Sequence, residues 1–159
     1  MKVLLSICLV LCLALSANAV RVRTHIKSQS TASQGWDSFV QDQLLGTGQS
    51  SGAAIIGAFD GSVWAADSLS LKAGEGSAIV NLFRNPSNVF ASGITVGGVK
   101  YLGIKGDEQS IYGKKGATGV IIAKTNQLII ISIYNERQQP GNAALVVEKL
   151  ADYFRDNGY

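Results

Sequence analysis

Short apolar runs separated by turn-forming residues dominate the second half of the chain. Between Gly93 and Tyr134, β-branched and aromatic runs are interrupted at regular intervals by Gly-Gly, Gly-Asp, Gly-Lys-Lys-Gly and Thr-Asn. Runs of about 4–8 residues at this spacing are typical of an antiparallel meander, because parallel strands need longer crossover connections. The pattern predicts five strands, at residues 94–96, 100–105, 110–114, 119–124 and 128–134.

The last two predicted strands contain almost only apolar residues. They therefore lack the alternation of apolar and polar residues that is typical of a strand with one face exposed to solvent. This indicates that both faces of the sheet are covered. Three segments, residues 36–44, 77–84 and 143–157, repeat apolar residues at steps of three and four and are predicted to be helices. The last has one apolar stripe, formed by Ala143, Val147, Leu150, Ala151 and Phe154.

Two further strands, residues 53–59 and 62–66, are predicted around Asp60-Gly61. This dipeptide favours a two-residue hairpin with a type I′ turn. The order is then helix, hairpin, short helix, five-strand meander and helix. It predicts an α+β fold with a central antiparallel β-sheet, the N- and C-terminal helices on one face and the short helix on the other.

The first 19 residues have the three parts of a secretory signal peptide. Met1 and Lys2 precede an apolar segment at residues 3–16, and Ala17-Asn18-Ala19 follows as a cleavage site. A signal anchor is the alternative, because the apolar run reaches almost the length of about 17 residues that spans a bilayer. We therefore predict a signal peptide at 1–19, a flexible polar extension at 20–35 and one domain at 36–159.

Charge and cysteine content say little about a partner for that domain. Both cysteines, Cys8 and Cys12, lie in the leader, so the mature chain is expected to contain no disulfide. Four of the 14 basic residues precede Ser28, which leaves ten against all 11 acidic residues in the domain. This balance gives no reason to expect nucleic-acid binding.

Residues that commonly carry catalysis are scarce in the predicted domain. The one histidine, His25, lies in the extension, and no cysteine remains after cleavage. The glycine-rich segments match neither the G-x-G-x-x-G fingerprint nor a P-loop. Composition leaves a Ser-Lys or paired-carboxylate hydrolase open, but we expect a binding protein that has no enzymatic activity, cofactor or bound metal.

Five separate stretches, in order, resemble the profilin family and are most similar to the profilins of amoebae. They are GWDSF, AAIIGAFDGSVWA, YGKKGATGVIIAKT, IYNERQQPGNAALVVEKLADYF and the terminal GY. Together they extend from Gly35 to Tyr159, whereas the leader and most of the extension lie outside the family pattern. The resemblance implies a monomeric protein that binds monomeric actin, regulates its polymerisation, and also binds proline-rich segments and phosphoinositides.

The resemblance also implies two sets of site residues. The proline-rich site falls on Trp36, Phe39, Trp64, Tyr153 and Tyr159. The actin-binding site falls on Arg84, Lys114, Lys115, Gly141 and Asn142. Phe39 departs from the tyrosine that is usual in the family, so a phenol hydroxyl that could donate to a ligand carbonyl is missing.

Each assignment has an alternative. Ordinary core packing would explain the two tryptophans, and a solvated turn would explain Lys114-Lys115. The compartment is also open, because actin is cytosolic whereas the leader predicts secretion. The chain is therefore either an actin-binding protein of the cytoplasm and cytoskeleton, or a secreted profilin-like module whose groove binds extracellular or host ligands. An interaction module unrelated to actin is a third reading.

Overall fold

The structure, a computed structural model, describes residues 35–159. The predicted signal peptide, and the predicted extension apart from Gly35, lie outside the described residues. Within 35–159, no helix has both the length and the hydropathy needed to cross a membrane. Residues 36–159 cluster as one unit.

Seven antiparallel strands form the sheet, in the order β2-β1-β7-β6-β5-β4-β3. They are β1 (Gly52–Gly57), β2 (Val63–Asp67), β3 (Ile94–Val96), β4 (Val99–Gly106), β5 (Ser110–Lys115), β6 (Thr118–Lys124) and β7 (Leu128–Tyr134). The predicted meander is confirmed, with strand ends that differ by at most one residue. The N-terminal hairpin joins it because β1 pairs with β7, Ile55 opposite Ile130.

Four helical elements accompany the sheet within residues 35–159. They are α1, which is α-helical at residues 35–38 and continues as a π-helical segment Phe39–Leu44 and a 3₁₀ turn Leu45–Thr47; α2 (Glu75–Leu82); α3 (Val89–Ser92), preceded by a 3₁₀ turn Pro86–Asn88; and α4 (Pro140–Asp156). The helix predicted at 77–84 begins and ends two residues earlier than expected. Helix α3 was not predicted, because four residues are too few to show a helical period.

Both faces of the central strands are covered, as the sequence predicts. On β6, Ile122 packs in the core beneath α2 and α3, whereas its neighbour Ile121 packs in the core shared with α1 and α4. Successive side chains of a strand point to opposite faces, so a strand buried on both must be apolar throughout. The terminal helices share one face, and all five residues of the predicted α4 stripe are buried.

The predicted type I′ turn at Asp60-Gly61 is wrong. A five-residue loop, 58–62, joins β1 to β2, and Gly61 has a φ of +72° whereas Asp60 has no positive φ. A type I′ turn requires positive φ at both central residues. The loop packs against α2 through Gly61 and Gly76. Their backbones approach so closely that a Cβ on either glycine would collide with the backbone of the other.

A buried carboxylate at the start of α2 holds the β3–β4 turn. Oε1 of Glu75 accepts a hydrogen bond from the Gly98 N–H at 2.7 Å, and Oε2 accepts from the Gly97 N–H at 2.7 Å and the Lys72 N–H at 2.9 Å. Burial favours protonation of Glu75, but these three donors outweigh it and hold the pKa of the carboxyl below its ordinary value. No local sequence pattern marks this anchor.

Candidate functional site

The five aromatic residues predicted to bind proline-rich segments lie together, and we call them the aromatic groove. The ring of Trp36 lies 5.1 Å from that of Trp64 and 5.7 Å from that of Tyr159, measured between centroids. Phe39 lies 6.0 Å from Trp36 and 6.2 Å from Tyr153. Three separate parts of the chain therefore contribute to the groove: the N-terminal helix, strand β2 and the C-terminal segment.

A sixth ring, Phe154, lies beneath the groove. Its centroid is 5.0 Å from that of Phe39, 5.6 Å from Tyr153, and 5.8 Å from both Trp36 and Tyr159. Phe154 is only 1% exposed. Phe154 belongs to the predicted core stripe of α4, and it also supports four of the five groove rings.

The groove rings remain accessible to solvent. Tyr153 is 51% exposed and Tyr159 is 38% exposed, whereas Trp36, Phe39 and Trp64 are partly buried. Partly exposed rings on a buried support can contact a ligand without first moving apart.

Backbone hydrogen bonds hold the C-terminal tyrosine in the groove. The Tyr159 N–H donates to the Phe154 carbonyl at 2.9 Å, and the Asn126 N–H donates to the Tyr159 carbonyl at 3.3 Å. The Gln127 side-chain amide donates to the Gly158 carbonyl at 3.1 Å. Gly158 has a φ of +85°, which lets the chain turn back after α4. The β6–β7 turn thus fixes one wall of the groove.

The two tryptophans of the groove are held in different ways. Trp64 Nε1 donates a hydrogen bond to Ser62 Oγ at 3.3 Å. Trp36 contacts its neighbours through its ring, which lies against the rings of Phe39, Trp64, Phe154 and Tyr159.

Four of the five predicted actin-binding residues lie at one end of the sheet, and we call them the β5–α4 surface. Lys114 and Lys115 are exposed at the end of β5, and Gly141 and Asn142 are exposed in the first turn of α4. Strand pairing brings these elements to the same end, because Gly119 of β6 lies opposite both Lys114 and Tyr134, the last residue of β7. Helix α4 begins shortly after β7 ends.

Arg84 does not join this surface. It lines a separate cleft of about 410 Å³ with Lys124, Arg155 and Gln109, beside the opposite ends of β5 and β6. At about 3.3 Å per residue, Gln109 and Lys114 are about 16 Å apart along the strand. Arg84 thus belongs to a different basic region of the molecule.

The packing of α4 on the sheet supports the β5–α4 surface from below. Oε1 of Glu148 accepts hydrogen bonds from Ser110 Oγ at 2.5 Å and from the Tyr112 hydroxyl at 2.6 Å. Burial, together with this carboxylate, raises the pKa of Tyr112 above its ordinary value. These bonds fix α4 against β5.

The part of the chain that matches known proteins is nearly the same as the part that the structure describes. Residues 34–159 match the family model described as profilin. The chain belongs to the profilin family. Members of this family bind monomeric actin and proline-rich segments, and phosphoinositide binding is a further family property.

Similar profilins come from slime moulds and amoebae. Profilin-P of Physarum polycephalum is 66% identical over 124 residues, covering 78% of this chain and 98% of the relative. Profilin-1 of Dictyostelium discoideum is 58% identical over 125 residues, covering 78% of this chain and 98% of that protein. These matches confirm the resemblance that the sequence motifs predicted.

Solved profilin structures share the fold described above. Acanthamoeba castellanii profilin IB superposes with a TM-score of 0.75 at 42% identity, covering 78% of this chain and 99% of that structure. Mouse profilin IIa, in complex with a double repeat from the FH1 domain of mDia1, superposes with a TM-score of 0.65 at 25% identity, covering 79% of this chain and 99% of its own. The α+β architecture is therefore confirmed.

Two exposed apolar residues next to the β5–α4 surface of this profilin were not predicted. Leu102 is 73% exposed and Ile104 is 55% exposed, both on β4, and Leu102 pairs with Lys114 of β5. Strand alternation could not have placed Ile104 beside Leu102, because the β4–β5 register shifts between Gly103 and Lys105. Within residues 35–159, no cluster of His, Cys, Asp and Glu side chains could hold a metal ion.

Proposed function

We propose that this profilin binds monomeric actin on the β5–α4 surface and proline-rich segments in the aromatic groove, and thereby regulates actin polymerisation. It acts by binding rather than by catalysis. The observation that carries the proposal is the aromatic groove itself: five partly exposed rings from three parts of the chain, four of which contact the buried Phe154.

The chemistry of the groove fits an extended proline-rich ligand. Such segments already adopt polyproline II geometry, so binding them costs little conformational entropy. Flat aromatic rings can contact the pyrrolidine faces. The indole N–H of Trp36 and the hydroxyls of Tyr153 and Tyr159 are suited to donate to ligand carbonyls.

The β5–α4 surface combines charge with apolar area. Lys114 and Lys115 place two positive charges at the end of β5, and Leu102, which pairs with Lys114, and Ile104 present exposed hydrocarbon on β4. Protein interfaces commonly surround an apolar centre with polar residues. An acidic partner with an apolar patch fits this arrangement, and we propose monomeric actin as that partner.

The two proposed sites are far enough apart to be occupied together. Gly141 and Tyr153 lie on the same helix, about 18 Å apart at 1.5 Å per residue. A proline-rich segment near Tyr153 would leave the first turn of α4 free. The chain would then link actin to proline-rich proteins.

Phosphoinositides are a further ligand class that we propose for this chain. The Lys114-Lys115 pair and the cleft that contains Arg84, Lys124 and Arg155 are the two basic regions that a phosphorylated headgroup could contact. In the cleft, Arg155 already donates to Asp152 and to the Lys124 carbonyl, each at 2.7 Å. Lys124 Nζ lies 5.8 Å from the centroid of the Phe83 ring, and Arg84 is exposed.

A capture experiment tests the joint function. Beads carrying oligoproline are incubated with monomeric actin, with and without the protein, and bound actin is measured. We expect actin on the beads only when the protein is present. Lys114→Glu combined with Lys115→Glu should leave the protein on the beads but remove actin, and Trp36→Ala should remove both. Wild-type protein that binds the beads without actin would refute the actin part alone.

We also propose that the leader directs secretion, with cleavage after Ala19. The Ala17-Asn18-Ala19 sequence supports cleavage at that position. A secreted protein would use the aromatic groove on extracellular or host ligands rather than on cytoskeletal ones. Sequencing the N-terminus of the native protein tests this: Val20 as first residue supports export, whereas an intact Met1 in the cytosol refutes it.

A further inference from the structure

The space between α1 and α4 continues beyond the aromatic groove as a trough of about 460 Å³. Phe39 and Tyr153 belong to both the groove and the trough. Past these two rings, α4 contributes Val146, Lys149 and Leu150, and α1 contributes polar residues that include Gln43. The trough is therefore continuous with the proposed proline-rich site, but it has its own walls.

The dimensions of the trough suit an extended peptide. Val146, Leu150 and Tyr153 follow one another at four- and three-residue steps, so they lie in a line along α4. From Val146 to Tyr153 the helix rises about 10 Å at 1.5 Å per residue. A polyproline II chain advances about 3.1 Å per residue, so the trough can take about three residues next to the proline stretch.

The walls of the trough differ in chemistry from the aromatic groove. Val146 is partly buried and Leu150 is buried, so the floor is aliphatic. Phe39 adds only hydrocarbon at the junction. Lys149 is exposed, and within residues 35–159 it makes no ion pair. An aliphatic floor with the ammonium of Lys149 at its edge complements an apolar side chain that has an acidic neighbour.

We propose that this trough is a specificity subsite for the residues that flank the proline stretch of a ligand, and that it selects an apolar residue next to an acidic one. The proposal rests on the proposed function of the aromatic groove. Rings select proline wherever it occurs, whereas the trough would distinguish one proline-rich protein from another.

Peptide titrations test the subsite. The probes are an oligoproline, the same oligoproline with Leu-Asp added at its N-terminus or its C-terminus, and the matching Leu-Lys peptides. We expect Leu-Asp at one of the two ends to tighten binding about tenfold over plain oligoproline, from partial burial of leucine and one exposed ion pair. Leu-Lys at that end should give a smaller gain.

A charge reversal sharpens the experiment. Lys149→Glu should leave plain oligoproline affinity unchanged and should invert the preference between the Leu-Asp and Leu-Lys peptides. Lys100→Glu, an exposed lysine on β4, is the matched control and should preserve the wild-type preference. Flanks that add no affinity, or a preference that survives Lys149→Glu, would overturn the subsite alone. Failure of plain oligoproline to bind would refute the aromatic groove, and the subsite with it.

Discussion

Trp36, in the N-terminal helix, lies with its ring 5.1 Å from that of Trp64 on β2. The two residues are 28 positions apart in the sequence, and only the folded domain brings them together. Neither ring is fully buried. Folding therefore creates this contact at the surface of the domain and not in its core.

Replacing Trp36 should separate binding from stability. We expect Trp36→Ala to abolish oligoproline binding but to cost less than the roughly 3–5 kcal/mol that is typical for truncating a buried aromatic residue. Phe154→Ala should reach that full cost, because its ring is buried beneath the groove. Urea unfolding of both variants, beside oligoproline binding by Trp36→Ala, provides the comparison.

Phe59→Ala is the matched control for Trp36→Ala. Phe59 is 80% exposed and lies outside the aromatic groove, so its loss should change neither binding nor stability appreciably. If Trp36→Ala were as destabilised as Phe154→Ala, Trp36 would be a core residue and the assignment of the groove would be wrong.

Phe39→Tyr should strengthen ligand binding. The new phenol hydroxyl could donate to a ligand carbonyl, which is worth about 0.5–1.5 kcal/mol, or roughly a two- to tenfold gain in affinity. Calorimetric titration with oligoproline checks this. Leu145→Ile, at an exposed position on α4 outside the groove, serves as the control. An unchanged affinity for Phe39→Tyr would mean that no ligand carbonyl lies near position 39.

The sequence revealed most of this fold because its signals were local. Strands that are apolar on both faces, such as β6 and β7, must lie between two layers of helices. The apolar stripe of α4 predicted the buried side of that helix correctly. The five groove aromatics were found through their family motifs. Phe154, which supports four of these five rings, could not be recognised as part of the groove, because a groove floor and a core residue have the same sequence pattern.

The features that the sequence did not reveal depend on residues far apart in the chain. Glu75 carries no local signal for its role, which depends on hydrogen bonds from the amides of Gly97 and Gly98. The close contact between Gly61 and Gly76 joins a hairpin loop to a helix. Arg84 matched a family position, but only the strand geometry shows that it lies away from Lys114.

Glu75 should make the stability of the domain depend on acid pH. Its pKa is lowered from an ordinary value of 4.5, so its contribution is present above pH 4.5 and is lost as the pH falls through the folded-state pKa. We expect Glu75→Gln to cost about 1.5–3 kcal/mol at pH 7, because its neutral side chain satisfies fewer of the three backbone donors. Urea unfolding at pH 7, 4 and 3 measures the free energy of unfolding of both proteins. The difference between Glu75→Gln and wild type should become smaller as the pH falls.

Glu136→Gln, a substitution at an exposed position, is the control for Glu75 and should have little effect at any of these pH values. A difference between Glu75→Gln and wild type that stays constant from pH 7 to pH 3 would show that the hydrogen bonds to Glu75 do not depend on its charge.

Gly76→Ala should destabilise the protein although alanine favours helices. Alanine normally gains about 1 kcal/mol over glycine inside a helix. Here the added Cβ would collide with the Gly61 carbonyl, so we expect a net loss of about 1–3 kcal/mol. Gly141→Ala in α4, where a Cβ would meet nothing within 4 Å, should be neutral or stabilising. Thermal unfolding of both variants shows whether each substitution stabilises or destabilises the protein. A more stable Gly76→Ala variant would refute the close contact between Gly61 and Gly76.

The aromatic groove is best examined by titrating the unmodified protein with oligoproline while following its intrinsic tryptophan fluorescence. The two tryptophans, Trp36 and Trp64, both lie in the groove, so a bound ligand must change the environment of the fluorophores themselves. We expect a saturable change in emission, lost in Trp36→Ala and retained in Phe59→Ala. A spectrum that stays unchanged up to millimolar proline would show that the groove does not bind proline-rich segments.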